Sequence, residues 1–119
     1  GAKVFYHSCG SVYSYLNDLV DIGIDILNPI QPLAKNMDPK TLKSEFGRRI
    51  CFHGGIDEQK LLPFGSRKDV EKSVAKTVEI LAPGGGWIVA PAHNIQPDTP
   101  PENIVALYDT AFDAASRLH

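Results

Sequence analysis

Apolar residues fall along this chain in two habits that alternate. Short, continuously apolar runs occupy Lys3–Tyr6, Asp25–Leu27, Ile50–His53 and Trp87–Ala90, separated by longer stretches with apolar residues at helical spacing. Runs this short, rich in β-branched and aromatic residues, predict strands covered on both faces. The intervening stretches predict helices. Ser11 is expected to cap a first helix with Val12, Leu16, Leu19 and Val20 on one stripe. Asp38-Pro39 reads as a cap followed by proline at the first helical position, and Gly47 closes that second helix. Ser66 with Asp69 predicts a capping box ahead of the stripe Val70, Val74, Val78 and Leu81. Thr99-Pro100-Pro101-Glu102 reads as another capping box, with Ile104, Leu107, Tyr108, Ala111 and Ala115 on the buried face that follows.

Strands alternating with helices predict an α/β fold, a parallel sheet with right-handed crossovers. Four such βα units are half the complement of a TIM (β/α)8 barrel, with an open parallel sheet as the competing arrangement. We therefore expect residues 1–119 to form one half-barrel piece, the C-terminal half, with the N-terminal half absent. Such a piece leaves two parallel edges and an interior surface to be covered by the missing half or by a second copy, as in a two-fold dimer. A Gly1 placed directly before a strand reads as a cut end.

In parallel α/β folds chemistry collects where strands end and helices begin. His7 and Cys9 follow the first strand; Asn28, Pro29 and Gln31 the second; His53, Gly54, Gly55 and Asp57 the third; His93, Asn94 and Gln96 the fourth. The opposite rim has Gly47-Arg48-Arg49 and Pro83-Gly84-Gly85-Gly86, which read as turns. The glycine run precedes a strand instead of opening a helix, so it is no phosphate loop. His7 and Cys9 stand at i and i+2 of an extended segment and can reach one point in space. They suit either a metal that takes nitrogen and sulfur or a cysteine activated by a neighbouring imidazole. Each polar residue also has a plainer role open to it. Cys9 alone could be a small buried hydrophobe, Cys51 reads as core, and His53 as a hydrogen-bonded core residue before a ligand. Asp57 could cap the segment after it or face a ligand. His119 is expected to be solvated.

Composition narrows the partners. The chain has 119 residues, 43% hydrophobic and 22% charged, with a net charge of −2, as an ordinary globular domain has. That balance offers no attraction for nucleic acid or an anionic membrane. No apolar run is long enough to span a bilayer, and no leader pattern opens the chain. Two cysteines, Cys9 and Cys51, make no disulfide framework, so a cytoplasmic location is expected.

Three segments together carry a family resemblance: Tyr6-His7-Ser8-Cys9-Gly10, Gly54-Gly55-Ile56-Asp57, and the run from Ala90 through His93-Asn94-Ile95-Gln96-Pro97-Asp98-Thr99-Pro100-Pro101-Glu102-Asn103 to Ile104. They resemble the C-terminal half of the uroporphyrinogen decarboxylase superfamily, which also holds cobalamin-dependent methyltransferases. The resemblance implies an eight-stranded barrel of which this chain supplies the final four units. In the methyltransferase branch a His-x-Cys pair and a later cysteine hold zinc. His7 and Cys9 match the first two ligands and His93 stands in place of the third, a substitution zinc chemistry allows. The implied activity is transfer of a methyl group from a corrinoid, carried by a partner corrinoid protein, to a thiol or folate. Asp57 and His93 would then be catalytic, and Asn28, Gln31, Asp57 and Asn94 would hold the small-molecule substrate. The decarboxylase branch implies no cofactor, with His93 on a carboxylate arm of the tetrapyrrole. A third expectation is that the piece is inactive without the rest of its barrel.

Overall fold

In the computed structural model, which describes residues 1–118, the strands run further into their polar ends than apolar content alone suggests. They are β1 (Phe5–His7), β2 (Ile26–Ile30), β3 (Cys51–Ile56) and β4 (Trp87–Pro91). The ladder is made by backbone groups, so polar His7 and Asn28 extend it as readily as valine would. The sheet has order β1-β2-β3-β4 with every pair parallel. His119 lies outside the described residues.

The helices are α1 (Leu16–Asp21), α2 (Pro39–Phe46), α3 (Leu61–Phe64), α4 (Arg67–Leu81) and α5 (Pro101–Ser116). Two starts follow the expected chemistry. The Asp38 carboxylate accepts the Thr41 N–H at 2.9 Å with Pro39 at the first position. Ser66 and Asp69 form the reciprocal capping box. Two others do not. Ser11 caps nothing: Val12, wholly buried, leads into a 3₁₀ turn at Tyr13–Tyr15, and α1 begins beyond the reach of the Ser11 hydroxyl. At α5 the cap position is Pro100, which has no side-chain acceptor. Thr99 precedes it, its N–H donates to Gln96 O at 3.1 Å, and its buried hydroxyl has no hydrogen-bond partner. The buried face of α5 is also rotated from the expected stripe. Asn103, Ala106, Leu107 and Ala111 are buried, whereas Tyr108 is 45% exposed. Asn103 supplies the reason, because its amide donates to the carbonyls of Leu62 and Gly65, both at 2.9 Å, and turns that side of the helix inward.

All helices cover one face of the sheet. Leu27 and Phe52 point toward them and are wholly buried in a cluster with Val12, Leu16, Leu42, Phe46 and Leu81. A second cluster joins Ile56, Leu62, Val70, Val74 and Val78 to Ala106, Leu107 and Ala111. Trp87 packs against both clusters, and its indole N–H donates to Gly54 O at 2.9 Å. The alternate positions along the strands face the other way. Phe5 is 51% and Ile88 42% exposed, while Ile26, Cys51 and His53 are half-buried. Cover on both faces, expected from the sequence, is therefore realised on the helix side alone among the described residues.

Candidate functional site

On that uncovered face, strand register assembles a row of polar side chains. His7 of β1 pairs with Asn28 of β2, and β2 meets β3 with Leu27 opposite Phe52, which sets Asn28 beside His53. His7 Nδ1 lies 2.5 Å from Asn28 Oδ1, and Asn28 Nδ2 lies 2.6 Å from His53 Nδ1. His53 also meets the Phe5 ring edge-on, with centroids 5.3 Å apart. Burial disfavours the charged ring, so the His53 pKa lies below the ordinary histidine value. The row opens into a cavity of about 550 Å³ whose far wall is Ala90–Ile95, with His93 and Asn94.

Beyond β1, Cys9 Sγ stands 3.4 Å from His7 Nε2, which realises the i, i+2 convergence expected of the pair. The loop that carries Cys9 is held by the Gly10 N–H, which donates to the Gln31 side chain after β2. Cys9, Gln31, His93 and Asn94 line a neighbouring cavity of about 510 Å³ together with Glu58, Gln59, Pro63, Gln96 and Asp98. All the expected site residues except Asp57 thus line one or the other of these two chambers, His93 and Asn94 bordering both. They do not all touch. Among the described residues no three His, Cys, Asp or Glu side chains lie close enough together to hold a metal ion.

The donor set therefore fits zinc in part. Zn–N and Zn–S bonds of about 2.0–2.3 Å at a tetrahedral angle put nitrogen and sulfur roughly 3.6 Å apart, close to the His7–Cys9 separation. His93, the expected third ligand, sits on the same rim without closing on the pair. Asp57 is engaged otherwise. Its carboxylate accepts the backbone N–H groups of Gln59, Lys60 and Leu61, which anchors the turn into α3. It still borders a cavity of about 240 Å³ with Gly10, Gln31 and Glu58.

Two residues gain a place here that sequence reasoning did not give them. Glu58 is only 7% exposed and faces both Gln31-lined cavities; its one signal in the sequence is its position next to Asp57. His53 is the end of the polar row, a place that depends on register between β2 and β3. Cys51 is half-buried, and burial raises its thiol pKa. Gly54 and Gly55 keep β3 close to its neighbours with φ of +101° and +99°. A side chain on Gly54 would press on Ile30 N and Pro29 Cβ at 3.3 Å.

A parallel βα fold with imidazole, thiol and amide groups at the carboxyl ends of its strands has them where such folds bind their ligands. The uroporphyrinogen decarboxylase (URO-D) family model matches residues 1–113, and the chain belongs to that family. It is 27% identical over 104 residues to a uroporphyrinogen decarboxylase of Azoarcus sp. (strain BH72), covering 87% of this chain and 27% of that protein. A uroporphyrinogen decarboxylase of Trichodesmium erythraeum (strain IMS101) is likewise 27% identical, over 103 residues. Among solved structures, a methyltransferase from Methanosarcina mazei superposes with a TM-score of 0.74 at 26% identity, over 94% of this chain and 31% of its own. The four βα units thus match part of a TIM-barrel-like enzyme. The chain spans about a quarter of the length of the curated relatives it matches. No helix among the described residues is long and apolar enough to cross a membrane.

Proposed function

We propose that these residues form the C-terminal part of the barrel of a corrinoid-dependent methyltransferase of this family, one that moves a methyl group to a thiol or folate acceptor. The observation that carries the reading is the contact of His7 Nε2 with Cys9 Sγ at 3.4 Å on the rim of a large open chamber. The likeness to the Methanosarcina mazei methyltransferase supports it. His7 and Cys9 would serve as two ligands of a zinc ion, with His93 as a third once the loop after β4 moves toward them. When bound, such an ion supplies Lewis acidity that favours the thiolate form of an acceptor thiol. The chain's own residues do the rest. His7 Nε2 and Cys9 Sγ would hold the ion, Asn94 and Gln31 present amides to the acceptor, and Asp57 keeps the rim in shape. In this reading the corrinoid, brought by its carrier protein, presents its methyl group at the mouth of the chamber.

The test uses the whole protein with methylcobalamin and a thiol, alongside a porphyrinogen decarboxylation assay. Methyl transfer that falls at least about 100-fold in His7→Ala and in Cys9→Ser, with loss of bound zinc, supports the reading. Methyl transfer that survives both substitutions and chelation overturns it. A second reading, decarboxylation of a porphyrinogen or related acid without any cofactor, is favoured by the names of the curated relatives. His93 would then bind a carboxylate arm, and release of carbon dioxide would persist in Cys9→Ser.

A further inference from the structure

The row of side chains on β1, β2 and β3 is a continuous hydrogen-bond chain, and its middle member is not an imidazole. A neutral imidazole donates from one nitrogen and accepts at the other. The Asn28 carbonyl oxygen can only accept, so the His7 Nδ1 that faces it at 2.5 Å carries the ring proton. The Asn28 amide nitrogen can only donate, so the His53 Nδ1 at 2.6 Å is bare. Two consequences follow from the geometry. His7 Nε2 is left with its lone pair directed at Cys9 Sγ, and the His53 proton is left on Nε2, in the wall of the 550 Å³ chamber.

We propose that Asn28 is a positioning residue that imposes opposite tautomers on two histidines. His7 thereby offers a lone pair to Cys9, and His53 offers an N–H donor to an acceptor oxygen, a carbonyl or carboxylate, of whatever molecule enters the chamber. A single amide can do this because it has one donating and one accepting end, and register places one histidine at each. Water or a hydroxyl in its place would leave both rings free to choose. The inference deepens the proposed role of the His7–Cys9 pair and rests on it only for its consequence in catalysis. The tautomers themselves stand apart from the reaction.

Long-range proton–nitrogen correlation spectra of the full chain labelled with ¹⁵N-histidine, recorded above the imidazole titration range, read each ring directly. The His7→Gln and His53→Gln variants assign the signals. The expected result is a protonated Nδ1 and a bare Nε2 in His7, with the reverse in His53. Asn28→Asp keeps an acceptor toward His7 but presents no donor to His53. His7 should therefore stay as it was while His53 moves its proton to Nδ1. Asn28→Leu removes both partners, so His7 should shift toward the Nε2–H form that free imidazole prefers, and the Nδ1–H form should fall from the major to the minor population. A purely structural asparagine predicts no such split between the two rings. A His7 protonated at Nε2 in the unaltered protein, or two rings that keep their tautomers in Asn28→Asp, would overturn the proposal. Absence of methyl transfer with the expected tautomers intact would sink the reading of the reaction instead.

Discussion

Asn103 ties α5 to the end of α3 in the third βα unit. Its side chain is 2% exposed, and its Nδ2 donates to Leu62 O and Gly65 O, both at 2.9 Å. These carbonyls end α3, a helix of four residues whose C-terminal oxygens have few intrahelical partners. Asn103→Ala removes both donors at once and leaves a buried Leu62 carbonyl and a half-buried Gly65 carbonyl without them. A buried polar group left without its partner costs about 1–3 kcal/mol. Two would cost about 2–6 kcal/mol, reduced to about 2–4 kcal/mol because the exposed side of the Phe64–Gly65 turn can open to admit water. Asn103→Asp is a sharper comparison, since it sets an acceptor against two acceptors and should destabilise at least as much. Urea unfolding followed by far-ultraviolet circular dichroism measures the total. Amide exchange at Leu61–Ser66 reads where the loss falls, and should speed up there before it does in α4. A cost under about 1 kcal/mol for Asn103→Ala, with exchange at α3 unchanged, would refute the idea that this amide locks α5 onto the loop.

Three further outcomes are expected. Gly54→Ala should destabilise by about 1–3 kcal/mol, because its φ of +101° is strained for an L side chain and the new Cβ presses on Ile30 and Pro29; thermal unfolding checks it. Asp38→Ala should cost about 1 kcal/mol through loss of the α2 cap. The Thr41 bonds hold the Asp38 carboxyl below its ordinary pKa, so that contribution is whole above roughly pH 4 and fades as acid takes the pH down through the lowered value, a slope absent from the variant. His53 has its pKa lowered by burial, so the unfolded chain takes up a proton first as pH falls below about 6.5. Stability should drop over that window, and a His53→Gln variant should lack that part of the pH dependence when its urea midpoint is followed from neutral pH downward.

How far the fold could be read from the residues depended on whether a feature was local. The Val70, Val74, Val78, Leu81 stripe and the Ser66–Asp69 box are settled within one or two turns of helix, and both appear as expected. The same rule misled at Thr99, where the spacing to Glu102 is right for a capping box. Pro101 holds the residue before it out of the helical region, so Pro100 is extended and the helix starts only at Pro101, one residue past the expected first position. The face of α5 was misjudged for a different reason. A polar residue was left off the buried stripe, yet Asn103 is buried by partners on α3 some 41 positions away in sequence. The strands end later than expected, at His7, Ile30, Ile56 and Pro91, because parallel pairing is made by the backbone and accepts polar residues, glycine and proline at the strand ends.

The site shows the same division more sharply. That His7 and Cys9 would meet is a property of two positions in one extended segment, and it could be argued from spacing alone. That Asn28 would stand between His7 and His53 is a property of two strand registers, which no local pattern encodes. A one-residue slip of β2 would turn Asn28 to the helix side and leave both histidines without a partner. The wholly buried Leu27 and Ile30 are what forbid that slip, since it would carry Leu27 out onto the open face. The hydrophobic core on one side of the sheet therefore determines the polar chemistry on the other. His93 lacks any such restraint, because the loop after β4 is exposed and its ring belongs to no register. That contrast accounts for a rim in which two donors are already in contact while the third stands apart.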